Sequence, residues 1–332
     1  MTTYIANKLN SFLGVLICIA FTYALFGNTI AQWQAILIAI VVFGYGHFLL
    51  GFYYQIKGFF RKPNPWQYVG SFVFLTLFSI VLSYTLFYLV GFVAALFIGF
   101  LYFLLHGLLN EQTLIERQTG HAVPLLHLGA LAIFVIALLT YSIPDKTFFF
   151  DQYLQFTDVS TMAVTFIFEQ YYLGLAGFGY IFWVGFGLSL LTLFIAWFKY
   201  GYGKLTLFLL GSIVAATAAV SVYGPPAYIY MYVFVVGYHF MTWLLFYLVE
   251  MKKRGSAVYR KFIFHNVLAV APFVIAAYYF YQPDTPALAY ALLNLQLFVV
   301  MTYIHISTSF LNDEWMVKLQ DRFYSLFSRS LE

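Results

Sequence analysis

The stretch QWQAILIAIVVFGYGHFLLGFYYQ, residues 32–55, decides how this chain folds. It runs for 24 residues without an Asp, Glu, Lys or Arg, and holds one histidine, His47. As an α-helix rising 1.5 Å per residue, such a run exceeds the ~20 residues that cross a hydrocarbon core about 30 Å thick. Nine more stretches of similar character can be marked out on the same length. The ten expected spans are 10–27, 32–55, 66–88, 90–110, 122–142, 170–198, 204–222, 226–250, 262–281 and 285–309. The almost unbroken apolar run 66–110 is divided near Gly91. The run 147–198 is too long for one helix, and its part from Phe148 to Phe168 is expected to lie along the membrane surface or to re-enter.

Composition points the same way. Of the 332 residues, 63% are hydrophobic and 8% charged, and mean hydropathy is +0.87. Soluble domains carry roughly 25% charged residues. The expected fold is therefore all-α, a polytopic bundle of about ten transmembrane helices. Residues 1–310 form one membrane domain and 311–332 a short cytoplasmic tail. Aromatic residues reach 23%, with 40 Phe for lipid-facing surface and 29 Tyr for headgroup-level or polar-tipped positions. The first apolar run offers no convincing small-residue cleavage site and leads at once into another span, so it is expected to stay as a helix. The lone Cys18 can form no internal disulfide.

Orientation follows from the loops. Lys8, the group Lys57, Arg61 and Lys62, Arg117, Lys199 and Lys204, the cluster from Lys252 to Lys261, and Lys318, Arg322 and Arg329 all fall on one side. Of the 16 Lys and Arg, only Lys146 falls opposite, beside Asp145, Asp151, Asp158 and Asp284. Short basic loops mark the cytoplasmic face, so both termini are expected inside, with a bacterial inner membrane as the location. The net charge of +4 reflects this orientation and no affinity for nucleic acid; the expected partners are membrane lipids.

Depth along each span then places His47, His106, His239 and His305 in the same, cytoplasmic half of the bilayer. Imidazole in hydrocarbon is costly and tends to be kept for function. Neutral imidazole is a common ligand for iron, zinc and copper, and metal sites in bundles are built from facing helices. The expectation is one shared metal site on these four residues. Glu111, one turn past His106, and Asp313 and Glu314, two turns past His305, could complete a non-haem iron site. His127, His265 and Tyr238 could serve as further ligands or outer partners. For His121, His127 and His265, near helix ends, snorkelling to the headgroups is the simpler expectation. Glu169, in an apolar setting, could carry protons or a cation, or stand at the outer interface. Asn294 and Gln296 could bond a neighbouring helix. No Walker A, GxGxxG, HExxH or GxSxG motif is present, which leaves nucleotide, zincin and serine-hydrolase chemistry without support.

Three segments carry a family resemblance: Gly44-Tyr45-Gly46-His47-Phe48, Gly237-Tyr238-His239-Phe240, and His305 followed by Phe310-Leu311-Asn312-Asp313-Glu314-Trp315. With single histidines on several helices, the layout resembles the Brp/Blh carotene dioxygenases, polytopic proteins that bind iron. More remotely it resembles membrane fatty-acid desaturases and hydroxylases. The Pro-His-Gly motif of the first group and the HxxxH and HxxHH boxes of the second are absent. The resemblance implies a non-haem iron oxygenase or desaturase-like enzyme acting on a lipidic or polyene substrate. Zinc in the same site, a haem-b protein with two axial histidines, a transporter or channel using the histidines and Glu169, and a subunit with no chemistry are the rival expectations.

Overall fold

The computed structural model describes residues 2–26, 32–90, 92–120, 125–141, 178–200, 203–223, 227–280 and 287–311. Among them lie eleven helices and no strand. In chain order they are α1 (Thr2–Phe26), α2 (Gln32–Phe59), α3 (Pro65–Val90), α4 (Phe92–Thr119), α5 (Leu125–Tyr141), α6 (Phe178–Tyr200), α7 (Lys204–Tyr223), α8 (Ala227–Lys253), α9 (Ser256–Phe280), α10 (Ala287–Leu292) and α11 (Leu295–Ser309). Among the described residues, three segments, Pro65–Leu89, Phe182–Tyr200 and Ser256–Tyr279, are long and apolar enough to cross a membrane. The outer face of α3 shows why: Phe74, Leu77 and Tyr88 are all exposed, Tyr88 to 89%. A surface like this suits lipid better than water.

Two cores organise the helices. The larger gathers α2, α4, α8, α9 and α11 around Tyr45, Phe48, Phe103, Phe240, Phe273, Phe298 and Ile306. The smaller joins α5, α6 and α7 to Tyr4 of α1 and Ile115 of α4. Small residues let backbones approach. A Cβ on Gly185 of α6 would stand 2.3 Å from that of Ala137 on α5. Ser189 of α6 donates to the carbonyl of Ala130 on α5 at 2.8 Å. A polar seam binds α3 to α11, where buried Ser79 donates to Ser307 at 2.8 Å.

Several sequence expectations shift. The fourth span does not end at residue 110; α4 continues to Thr119, so Asn110 and Glu111 sit inside a helix. The tenth span is broken. Its α10 stops at Leu292, and Asn294 starts α11 anew, its side chain accepting from the Leu297 amide at 3.1 Å. Asn294 thus caps a helix, satisfying an orphan N–H, and is not side-chain glue between helices. Its own backbone carbonyl receives the Tyr45 hydroxyl at 3.3 Å. Lys8, counted among the orienting charges of the cytoplasmic side, is buried in α1 and pairs with Glu111 at 2.5 Å. His121, Glu169 and Asp313, the stretch 148–168 and the tail from 312 lie outside the described residues.

Candidate metal centre

The structure brings His47, His106, His239 and His305 together. His47 comes from α2, His106 from α4, His239 from α8 and His305 from α11. Their rings form a closed circuit. Centroid separations are 4.8 Å from His47 to His305, 5.3 Å from His305 to His106, 5.5 Å from His106 to His239 and 5.6 Å from His239 back to His47. Four imidazoles bound through nitrogen to one tetrahedral ion, with metal–nitrogen bonds near 2.0–2.1 Å, would hold their centroids about 5 Å apart. The Nε2 atoms of His47 and His305 stand 3.2 Å apart. Two ligand nitrogens on one such ion would be roughly 3.3 Å apart.

Local sequence explains how the rings meet. On α2, Gly44 admits the Phe298 ring and Gly46 admits Val270, which lets α11 and α9 close on the helix that carries His47. Gly51, one turn past His47, faces His305, and a Cβ there would lie 3.2 Å from its Cε1 and 3.3 Å from its Nδ1. Aromatic residues close to the histidines in sequence form the walls. Phe48 tilts against His305 at 5.0 Å, Phe240 lies 4.8 Å from His47, and Phe103 meets His239 edge-on at 5.2 Å. These rings pack around the quartet, of which His106 is buried and His47, His239 and His305 are half-buried.

The four imidazoles are not equivalent. His106 is held on both sides: its Nε2 lies 2.7 Å from the Asn110 amide nitrogen and its Nδ1 3.1 Å from the Ser309 hydroxyl. With the Asn110 amide donating to Nε2, Nδ1 carries the proton and donates to Ser309, which passes its own to the Ile306 carbonyl at 2.6 Å. The other extreme is His239, whose Nε2 is buried with no hydrogen-bond partner among the described residues. Leaving such a nitrogen unsatisfied costs about 1–3 kcal/mol. A metal ion would accept that lone pair, so the donor set fits one. Among the described residues, no three His, Cys, Asp or Glu already stand in ligand geometry.

The auxiliary candidates fall elsewhere. Glu111 accepts from the Tyr4 hydroxyl and pairs with Lys8, so this carboxylate is committed away from the histidines. His127 of α5 bonds Thr206 of α7 at 2.8 Å, beside the smaller core. His265 of α9 bonds the Tyr54 hydroxyl through Nδ1 at 3.1 Å. Tyr238 turns to Lys8, whose ammonium lies 4.9 Å from the centre of its ring. Tyr45 stacks on Phe273 at 4.5 Å, and Tyr303 donates to the Ala95 carbonyl at 3.0 Å. Tyrosines at one or two residues from a histidine leave on another face, as helix geometry requires. The partners that sequence reading missed, Asn110, Ser309 and Gly51, lie four residues past His106, His305 and His47. That spacing was the available signal, since positions i and i+4 share a face.

The Gly51 contact gives a test. Gly51→Val would push a branched side chain into the His305 ring. We expect a fall in bound metal with little loss of folded protein, read by elemental analysis beside a melting curve in detergent. Unchanged metal content would show that His305 has room to spare.

No protein-family model matches this chain, and neither a curated protein nor a solved structure does.

Proposed function

We propose that the chain is an integral membrane metalloenzyme of about ten spans, both termini cytoplasmic, that binds a transition metal between His47, His106, His239 and His305. The closed circuit of four rings, with its partnerless nitrogen on His239, carries this reading. An all-imidazole donor set suits iron, copper, zinc or nickel. Non-haem iron is the choice that accounts for the aromatic shielding and for the resemblance to polytopic iron enzymes. The activity proposed is oxygenase or desaturase-like, on a lipidic or polyene substrate entering from the bilayer.

When bound, iron supplies one-electron and dioxygen chemistry at open coordination positions. The protein's own residues position and protect. Ser309, on Nδ1, would fix the orientation and tautomer of His106, as outer partners do at metal sites, while Asn110 occupies the Nε2 lone pair that an ion would take. Phe48, Phe103 and Phe240 exclude water, which strengthens electrostatic interactions and suppresses side reactions. Gly51 leaves space for the His305 ring. The geometry favours an ion over haem b. Here His47 and His305 approach to 3.2 Å, with two further imidazoles beside them.

The deciding experiment is elemental analysis of purified protein, with the iron valence followed by electron paramagnetic resonance. About one iron per chain is expected in the parent and none above background in the His47→Ala/His305→Ala double variant. A parent protein without stoichiometric metal, even after anaerobic loading with ferrous ion, would end the proposal.

A further inference from the structure

Beside the histidines lies a small apolar cavity of about 20 Å³, walled by Phe48, Phe100, Phe103, Phe240, Val236 and Thr302 among others. Three of its walls, Phe48, Phe103 and Phe240, are the rings that pack on the imidazoles. Val236, Phe103 and Thr302 each stand three residues before a histidine of the quartet, on α8, α4 and α11. Three helices reach the same cavity at the same offset, so they run in one direction there. The cavity is displaced by about 4.5 Å along them. The displacement is away from the ends that carry Arg117, Lys252 and Lys253, and so towards the bilayer interior.

Its chemistry is uniform. The one hydroxyl in the wall, on Thr302, is already given to the Phe298 carbonyl at 2.9 Å. A buried water needs two to four polar partners, and sites without them stay dry and take apolar atoms such as xenon. The cavity is partly open to its surroundings and not sealed within the core. Resting on the metalloenzyme reading above, we propose that this cavity holds dioxygen, received from the hydrocarbon of the bilayer and kept next to the histidine centre. An apolar diatomic gas matches the cavity in size and polarity and would stand one helical turn from the imidazoles.

Xenon is the probe, with metal content measured on the same samples. In the purified, methyl-labelled protein, xenon should shift the Val236 and Val299 methyl resonances saturably, at least about threefold more than those of Val41 and Val42 in the same core. Val236→Phe should abolish the Val299 shift, and Val236→Ala should increase it, both with parental metal content. No excess shift in the parent, or in a folded Val236→Ala protein, would overturn the cavity's role. Ordered water found in the cavity would do the same. Saturable xenon binding in a protein that takes up no metal would overturn the assignment of dioxygen and leave only an apolar cavity. The metal assay therefore reports on the centre and the xenon shifts on the cavity.

Discussion

His239→Ala is expected to retain at most about a tenth of the metal held by the parent protein, by the scale on which lost partners weaken metal sites. His239 is the member of the circuit whose Nε2 is buried without a partner, so it has the most to gain from an ion. His106→Ala makes the informative comparison. That ring is already satisfied by Asn110 and Ser309, so coordination through Nε2 must displace the Asn110 contact. A smaller loss is expected there than at His239. Both variants should remain folded, because each removes one ring from a site lined by other aromatics. Equal, parental metal content in the two variants would show that the histidine circuit is a packing arrangement and not a ligand set.

The second large effect concerns stability. Lys8 is 2% exposed and Glu111 18%, and they meet at 2.5 Å with the Tyr4 hydroxyl on the second carboxylate oxygen. Glu111→Ala leaves a buried ammonium without its counter-charge. Breaking a buried pair from one side typically costs about 3–5 kcal/mol, whereas replacing both members by apolar groups is often neutral. A fall of several degrees in the thermal midpoint in detergent is expected for Glu111→Ala. The Lys8→Met/Glu111→Leu protein should recover most of it. Equal destabilisation by the single and the double variant would mean that packing volume, and not the charge pair, matters at this junction of α1 and α4.

How far the sequence could go is clearest at these same residues. Depth along a helix is set by residue number and the fixed rise per residue. That sufficed to put His47, His106, His239 and His305 on one level. Direction around the helix axis was not available in the same way. Helices apolar on every side show no stripe that marks the inward face. Glu111 could therefore be assigned to the histidines with the same plausibility as to Lys8. Likewise, His127 and His265 could be counted as outer ligands, although they bond Thr206 and Tyr54. The break at Asn294 was hidden for a related reason: the apolar run is continuous in composition, and only the cap geometry reveals that α10 and α11 are two helices.

By itself the sequence determined an all-helical, lipid-compatible chain, because long uncharged runs must satisfy their backbone hydrogen bonds within each helix. It also determined which residues could be ligands, since few other side chains in those runs can donate a lone pair to a metal. Tertiary packing decided which of them meet. Glycines at 44, 46 and 51 let neighbouring side chains approach α2, and those approaches bring four imidazoles from distant parts of the chain to one place. Contact between far-separated residues depends on helix rotation and crossing, and neither is written in a one-dimensional pattern of apolar residues.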